Sequence, residues 1–219
     1  MDNANDAVRR YWLDSFADHG ASARGIGLRN EESQAFHYDK ILAVIEPDRD
    51  GVSILDIGCG YGGLLDRAIE RGIEIEYTGI DLVAEMVSYG RSKHKGAVFA
   101  EADILTFFPG QMFDYVVASG VFYKKLDVSL LEFGQLSRRI IKRMFDLANR
   151  GIAFNMLTSY VNFTAPDLYY QNPGELISFC VTELSTRWRL DHVCRRYYDF
   201  TMYVYKDDPH FNENLQGSP

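Results

Sequence analysis

The stretch ILDIGCGYGG, residues 54–63, decides the fold, because a run of buried-strand residues ends there in closely spaced glycines. Gly58, Gly60 and Gly63 satisfy the G-x-G-x-x-G spacing of a dinucleotide-binding turn, while Gly58, Gly60 and Gly62 satisfy the G-x-G-x-G spacing of a different cofactor site. Either pattern alone is weak. The charge around the loop and the elements beyond it must separate the two.

Outward from this loop the chain alternates between strands and helices. SILDIG (53–58) reads as a buried strand and YGGLLDRAIERG (61–72) as a helix stopped by Gly72. EYTGIDL (76–82) is a second strand, followed by a short helical stretch from Val83 to Lys93. AVFAEADIL (97–105) and FDYVVASGV (113–121) read as the third and fourth strands. Between Ser129 and Ala148 the residues Leu130, Leu131, Phe133, Leu136, Ile140, Ile141, Met144 and Phe145 recur at three- and four-residue steps, which predicts an amphipathic helix. Gly151 then opens a fifth strand, GIAFNML. This order predicts right-handed crossovers and a doubly wound, Rossmann-like α/β fold whose parallel sheet is covered on both faces. Further on, NPGELISFCVTEL (172–184) reads as a helix with Asn172 as N-cap and Pro173 at its first position. WRLDHVCRRYY (188–198) and DFTMYVYK (199–206) predict an antiparallel pair at one sheet edge. Two helical segments, 5–18 and 31–46, precede the first strand. The chain is thus read as one domain: a helical cap over 1–50, a cofactor core over 51–157, an acceptor-side segment and closing hairpin over 158–208, and a tail over 209–219.

Composition narrows the partners. The 219 residues are 47% apolar, enough for a buried core, and the net charge is −8 with no basic cluster beyond pairs such as Arg138-Arg139. That balance disfavours duplex nucleic acid and suits a small-molecule partner. No apolar leader opens the chain, and no run of about 18 apolar residues occurs, so neither export nor membrane insertion is expected and the cytoplasm is the default. Cys59, Cys180 and Cys194 lack metal-ligand spacing and are read as reduced thiols.

In sheets of this kind ligands bind beyond the carboxyl ends of the strands, near the switch in strand order. Asp56, Asp81 and Asp103 fall at or near such ends. Asp81 ends the second strand, where a carboxylate accepts from ribose hydroxyls in either cofactor class. Asp56 discriminates: a pyrophosphate at the glycine turn is opposed by a carboxylate two residues before the first glycine, whereas a ligand carrying ammonium and sulfonium charges is favoured by it. Gly58 and Gly60 let the main chain pass close to that ligand.

On these residues the chain resembles the class I S-adenosylmethionine-dependent methyltransferases. ILDIGCGYG is similar to the family's first motif, YTGIDL to the second, EADI to the third and FDYVVASGV to the fourth, in the right order over residues 53–121. The resemblance implies that Asp56 and the backbone of Gly58, Cys59 and Gly60 meet the methionine part of the cofactor. It likewise implies that Asp81 and Leu82 take the ribose, Asp103 and Ile104 the adenine, and that Ser119 closes over the reacting end. Cys59 is read as a small buried filler rather than a nucleophile.

The acceptor side is less defined. TSYVNFTAPDLYYQN (158–172) carries Tyr160, Phe163, Tyr169 and Tyr170 and is read as a wall or lid over the acceptor, although the same aromatics fit a loop folded onto the core. Tyr123, past the fourth strand, and Asn155, near the end of the fifth, lie where family members often contact substrate. For His37 a base role is one reading, but a partly exposed helix histidine without catalytic duty is the favoured one, and no general base is assigned. ASGVFY stands where base-modifying amino-methyltransferases carry an Asn/Asp-Pro-Pro-Tyr-type sequence, which disfavours a nucleic-acid acceptor. The leading expectation is transfer of a methyl group from S-adenosylmethionine to oxygen or nitrogen of a small metabolite. The alternatives are an NAD-dependent oxidoreductase, allowed by Gly63, and a non-catalytic S-adenosylmethionine-binding module.

Overall fold

The computed structural model describes residues 2–46, 51–193 and 197–206. Its centre is β1 (Val52–Ile57), which pairs in parallel with β2 (Ile75–Asp81) on one side and with β4 (Phe113–Ala118) on the other. β3 (Val98–Glu101) extends the sheet beyond β2, and β5 (Ala148–Thr158) extends it beyond β4, both in parallel. Strand order therefore reverses at β1/β4, the switch point where the carboxyl ends of neighbouring strands leave a crevice. β8 (Asp199–Tyr205) runs antiparallel to β5, and β7 (Trp188–Asp191) antiparallel to β8, giving the order β3-β2-β1-β4-β5-β8-β7. The doubly wound, mostly parallel sheet with an antiparallel closing pair is the architecture expected from the alternation of elements.

Alternate residues of the central strands feed opposite faces, as the two-residue period of a strand requires. Leu55, Ile57, Val116, Ile152 and Phe154 pack with α5 (Leu130–Leu147) and α6 (Pro173–Glu183). Ile54, Tyr115, Val117, Ala153 and Tyr203 pack on the other face with α2 (Glu31–Leu42) and α3 (Gly63–Glu70). α4 (Ala84–Lys93) lies on that second face too, where Val87 joins Tyr77 and Phe99. Among the described residues no helix is long and apolar enough to cross a membrane.

Several boundaries differ from the sequence reading. The third strand ends at Glu101, because the Asp103 carboxylate accepts from Leu105 N at 2.9 Å and its carbonyl from Thr106 N at 3.0 Å, a side-chain-supported turn that takes the place of the ladder. The fourth ends at Ala118, just before Gly120 takes a positive φ of 78°. The fifth starts at Ala148 rather than Gly151, directly after α5, pairing with Phe113 before the register shift at Tyr115. The long run 188–198 is strand only over Trp188–Asp191; Cys194 to Arg196 lie outside the described residues, as does the tail. A two-residue strand, β6 (Tyr170–Gln171), is additional to the elements read from the sequence and pairs in parallel with the end of β5. The cap helices are α1 (Asp2–His19) and a shorter α2, and Arg24–Ile26 form a 3-10 turn between them. α5 begins with a complete capping box between Ser129 and Glu132, and α6 has Asn172 as N-cap with Pro173 first, as read from the sequence.

Candidate active site

A cavity of about 590 Å³ opens at the switch point, a size suited to small-molecule ligands. Asp56, Gly58, Cys59 and Gly60 line it from the first turn, Asp81 and Leu82 from the end of β2, Asp103 and Ile104 from the end of β3, and Ser119 from the end of β4. The nine residues assigned to a cofactor thus come together around one space. Val8 and Trp12 of α1 and the segment Ile26–Arg29 form the roof.

The glycine turn answers the question posed by its two spacings. Gly58, Gly60 and Gly62 have φ of 65°, 54° and 90°, the left-handed region that a side chain disfavours, whereas Gly63 is the first residue of α3 and a Cβ there would meet the Tyr38 hydroxyl at 2.7 Å. Four of the turn's amides are already engaged. Gly58 N and Cys59 N donate to Ile80 O at 2.8 and 3.1 Å, Gly62 N to Cys59 O at 3.0 Å, and Gly60 N to the Asp81 carboxylate at 2.8 Å. A diphosphate needs such amides free to point at it. With these four amides occupied and Asp56 and Asp81 beside them, the turn makes a poor phosphate cradle, which counts against the NAD alternative.

Asp56 is only 3% exposed and accepts from the Tyr77 hydroxyl at 2.7 Å. Burial pushes its carboxyl up to about 7, opposed by the Tyr77 hydrogen bond and aided by the charge of Asp81. Burial also raises Asp81, although Val83 N and Gly60 N donate to its two oxygens. The Cys59 thiol is pushed well up by burial, with Asp81 and Asp56 adding to the effect, so it has no nucleophilic character and fills space as expected.

On the far side of the cavity, β8 begins with Asp199, which is buried. Its Oδ2 accepts from the Tyr123 hydroxyl at 2.6 Å and lies 2.9 Å from His37 Nε2. His37 is 5% exposed, not partly exposed: α2 turns it inward, and its Nδ1 lies 2.6 Å from Ser33 O. Ser33 O and the Asp199 carboxyl thus flank the two ring nitrogens of His37 and fix the ring's orientation. Asn155, fully buried on the same sheet face, accepts from Gly120 N at 2.7 Å, and its Nδ2, sealed from solvent, has no partner among the described residues. Tyr123, Asn155, His37 and Asp199 all line the cavity.

The four aromatic residues read as a wall or lid are placed elsewhere: Phe163 is exposed and packs edge-on against Tyr198. Tyr160 is 66% exposed and stacks on His192; Tyr169 packs on Phe133 and donates to Gln171; the Tyr170 hydroxyl accepts from Ala165 N. None of them lines the cavity, and the aromatic wall is built instead by Trp12, Tyr197 and Tyr198. Asp199 and His37 were missed as partners because they are far apart in sequence and carry no local motif.

Residues 54–143 match a family model described as a methyltransferase domain. Over 159 residues the chain is 36% identical to the Mycobacterium tuberculosis protein named "Putative methyltransferase Rv1506c", covering 72% of this chain and 95% of that one. It is also 32% identical over 98 residues to the fatty-acid O-methyltransferase of Mycolicibacterium smegmatis, covering 42% of this chain and 36% of that enzyme. Among solved structures, the magnesium protoporphyrin IX methyltransferase of Synechocystis PCC 6803 with bound SAH is similar with a TM-score of 0.68 at 16% identity, over 93% of this chain and all of that one. With its sheet order, glycine turn and these matches, the chain belongs to the class I S-adenosylmethionine-dependent methyltransferases, and S-adenosylmethionine is its cofactor.

Proposed function

We propose that the protein methylates an oxygen or nitrogen of a small molecule held between the glycine turn and the Tyr123–Asp199 cluster. The observation that carries this reading is that both groups line one roofed cavity. Bound S-adenosylmethionine supplies an activated methyl on a sulfonium. The chain's task is then to hold the acceptor atom in line at about 3 to 3.5 Å and to keep water out.

The residues around the turn fit such a cofactor. Asp56 offers a buried carboxylate to its positive charges, Asp81 retains lone pairs for the ribose hydroxyls, and Ile104 offers an apolar contact for the adenine beside Asp103. Val8 and Trp12 exclude water from above, and Leu157, Leu168 and Tyr198 give the acceptor end apolar walls. Tyr160 and Tyr170 do not plug the cavity, which favours an enzyme over a binding module. Most curated relatives named by substrate act on small molecules, a fatty acid and trans-aconitate among them. The test is incubation with methyl-labelled cofactor and a metabolite extract, followed by mass spectrometry. Label should enter a low-mass product; label found only in macromolecules would overturn the proposal.

A further inference from the structure

We infer that the acceptor is a neutral hydroxyl, not a carboxylate, and that Tyr123 takes its proton while passing its own to Asp199, with His37 as the positioning residue. The inference rests on the methyltransferase reading above and names the acceptor class of that same cavity.

The geometry supplies the argument. Tyr123 spends its only hydrogen on Asp199 Oδ2 at 2.6 Å, so towards the cavity it can offer only lone pairs, which accept from an O–H. Burial and the Asp199 charge hold its hydroxyl well above the usual tyrosine range, so it stays a phenol until a proton arrives from elsewhere. An ionised carboxylate has no proton to give to this oxygen and would face the charge of Asp199 just behind it. On the same sheet face, the paired register Asn155↔Thr201 and Leu157↔Asp199 puts Asn155 close to Asp199. Asn155 Oδ1 accepts from Gly120 N at 2.7 Å and so braces the turn after β4 from which Tyr123 comes. A lone-pair acceptor backed by a hydrogen-bonded carboxylate matches a hydroxyl, which donates to it.

The transfer balances. The acceptor O–H bond breaks as its proton moves to Tyr123 Oη, and the Tyr123 proton moves to Asp199 Oδ2. The acceptor oxygen forms a bond to the methyl carbon, and the methyl–sulfur bonding pair returns to sulfur, leaving a neutral thioether. His37, hydrogen-bonded by Ser33 O and Asp199, touches no reacting atom and fixes the carboxylate under Tyr123.

The experiment uses the full chain saturated with S-adenosylhomocysteine, with 4-nitrophenol as probe at a pH where the free probe is mostly protonated. Its phenolate absorbance reports proton transfer without any turnover. Wild type should bind the probe and raise the phenolate band. Tyr123→Phe should lose the band and weaken binding about tenfold, the scale of one lost hydrogen bond. Asp199→Asn should keep binding within a few fold yet lose the band, and His37→Gln, which retains a donor to Asp199, should restore more of it than His37→Ala. If Asp199→Asn does not fold, as judged by S-adenosylhomocysteine binding, the Tyr123→Phe and His37 variants carry the test. Probe bound without the band, no probe bound although S-adenosylhomocysteine binds, or tighter binding of 4-nitrobenzoate would each overturn the inference. Failure to bind S-adenosylhomocysteine at all would instead overturn the cofactor reading beneath it.

Discussion

Replacing Asp56 by asparagine tests the electrostatics of the cofactor turn twice, once through stability and once through ligand affinity. The carboxyl has a folded value of about 7 against an ordinary 3.8, because burial disfavours its charged form. The folded chain therefore binds the proton more tightly than the unfolded chain. Stability carried by this group is fully present below the unfolded value and is lost as pH rises from about 4 through about 7. A rise of that size corresponds to about 4 kcal/mol at pH 8 and about 2 kcal/mol at pH 5. The substituted amide carries no charge to bury and can still accept from the Tyr77 hydroxyl. Urea titrations of both proteins without cofactor should show the variant gaining on wild type by roughly 2 to 3 kcal/mol between pH 5 and pH 8. The same substitution removes the carboxylate from the cofactor's positive charges, so calorimetry at pH 8 should show weaker S-adenosylmethionine binding despite the more stable fold. A stability difference that is flat across this pH range, or unchanged cofactor affinity, would refute the reasoning.

Other outcomes follow from the same contacts. Tyr77→Phe removes the 2.7 Å hydrogen bond to Asp56 and should destabilise the chain by about 1 to 3 kcal/mol, more above pH 7 than below it, in paired denaturant titrations. Gly58→Ala puts a Cβ 2.6 Å from Val121 Cγ2 at a φ of 65°, so thermal melts should fall, and adding Val121→Ala should recover only the steric part. Trp12 lines the cavity and Trp188 does not, so in a Trp188→Phe background the emission should change on adding S-adenosylhomocysteine; an unchanged spectrum would place the cofactor away from α1.

The parts of the site legible in the sequence are those written in consecutive residues. β1, the glycine turn, Asp81 and Asp103 each sit at the end of a strand whose apolar run announces it, and the parallel register brings those ends to one side. The acceptor end is assembled otherwise. His37 comes from a helix before the first strand, Tyr123 from the loop after β4, and Asp199 from the last strand, so only the placement of β8 against β5 makes them neighbours. The aromatic segment after β5 misled because its composition fits a lid as well as a surface. A two-residue strand, Tyr170–Gln171, ties it to the end of β5 and turns Tyr169 onto α5. The short β3 shows the same limit from the other direction: apolar residues continue past Glu101, but a side-chain-capped turn at Asp103 outcompetes the ladder.

α1 covers the cofactor cavity while standing outside the sheet, held to the body of the chain by edge contacts such as Phe16 on Tyr89 and Arg9 on Glu101. Deleting this arm should therefore shorten the residence time of bound S-adenosylhomocysteine, as stopped-flow release would show. A chain beginning at Arg24 would leave an uncovered bowl, quick to fill, quick to empty, and open to water at the moment of reaction.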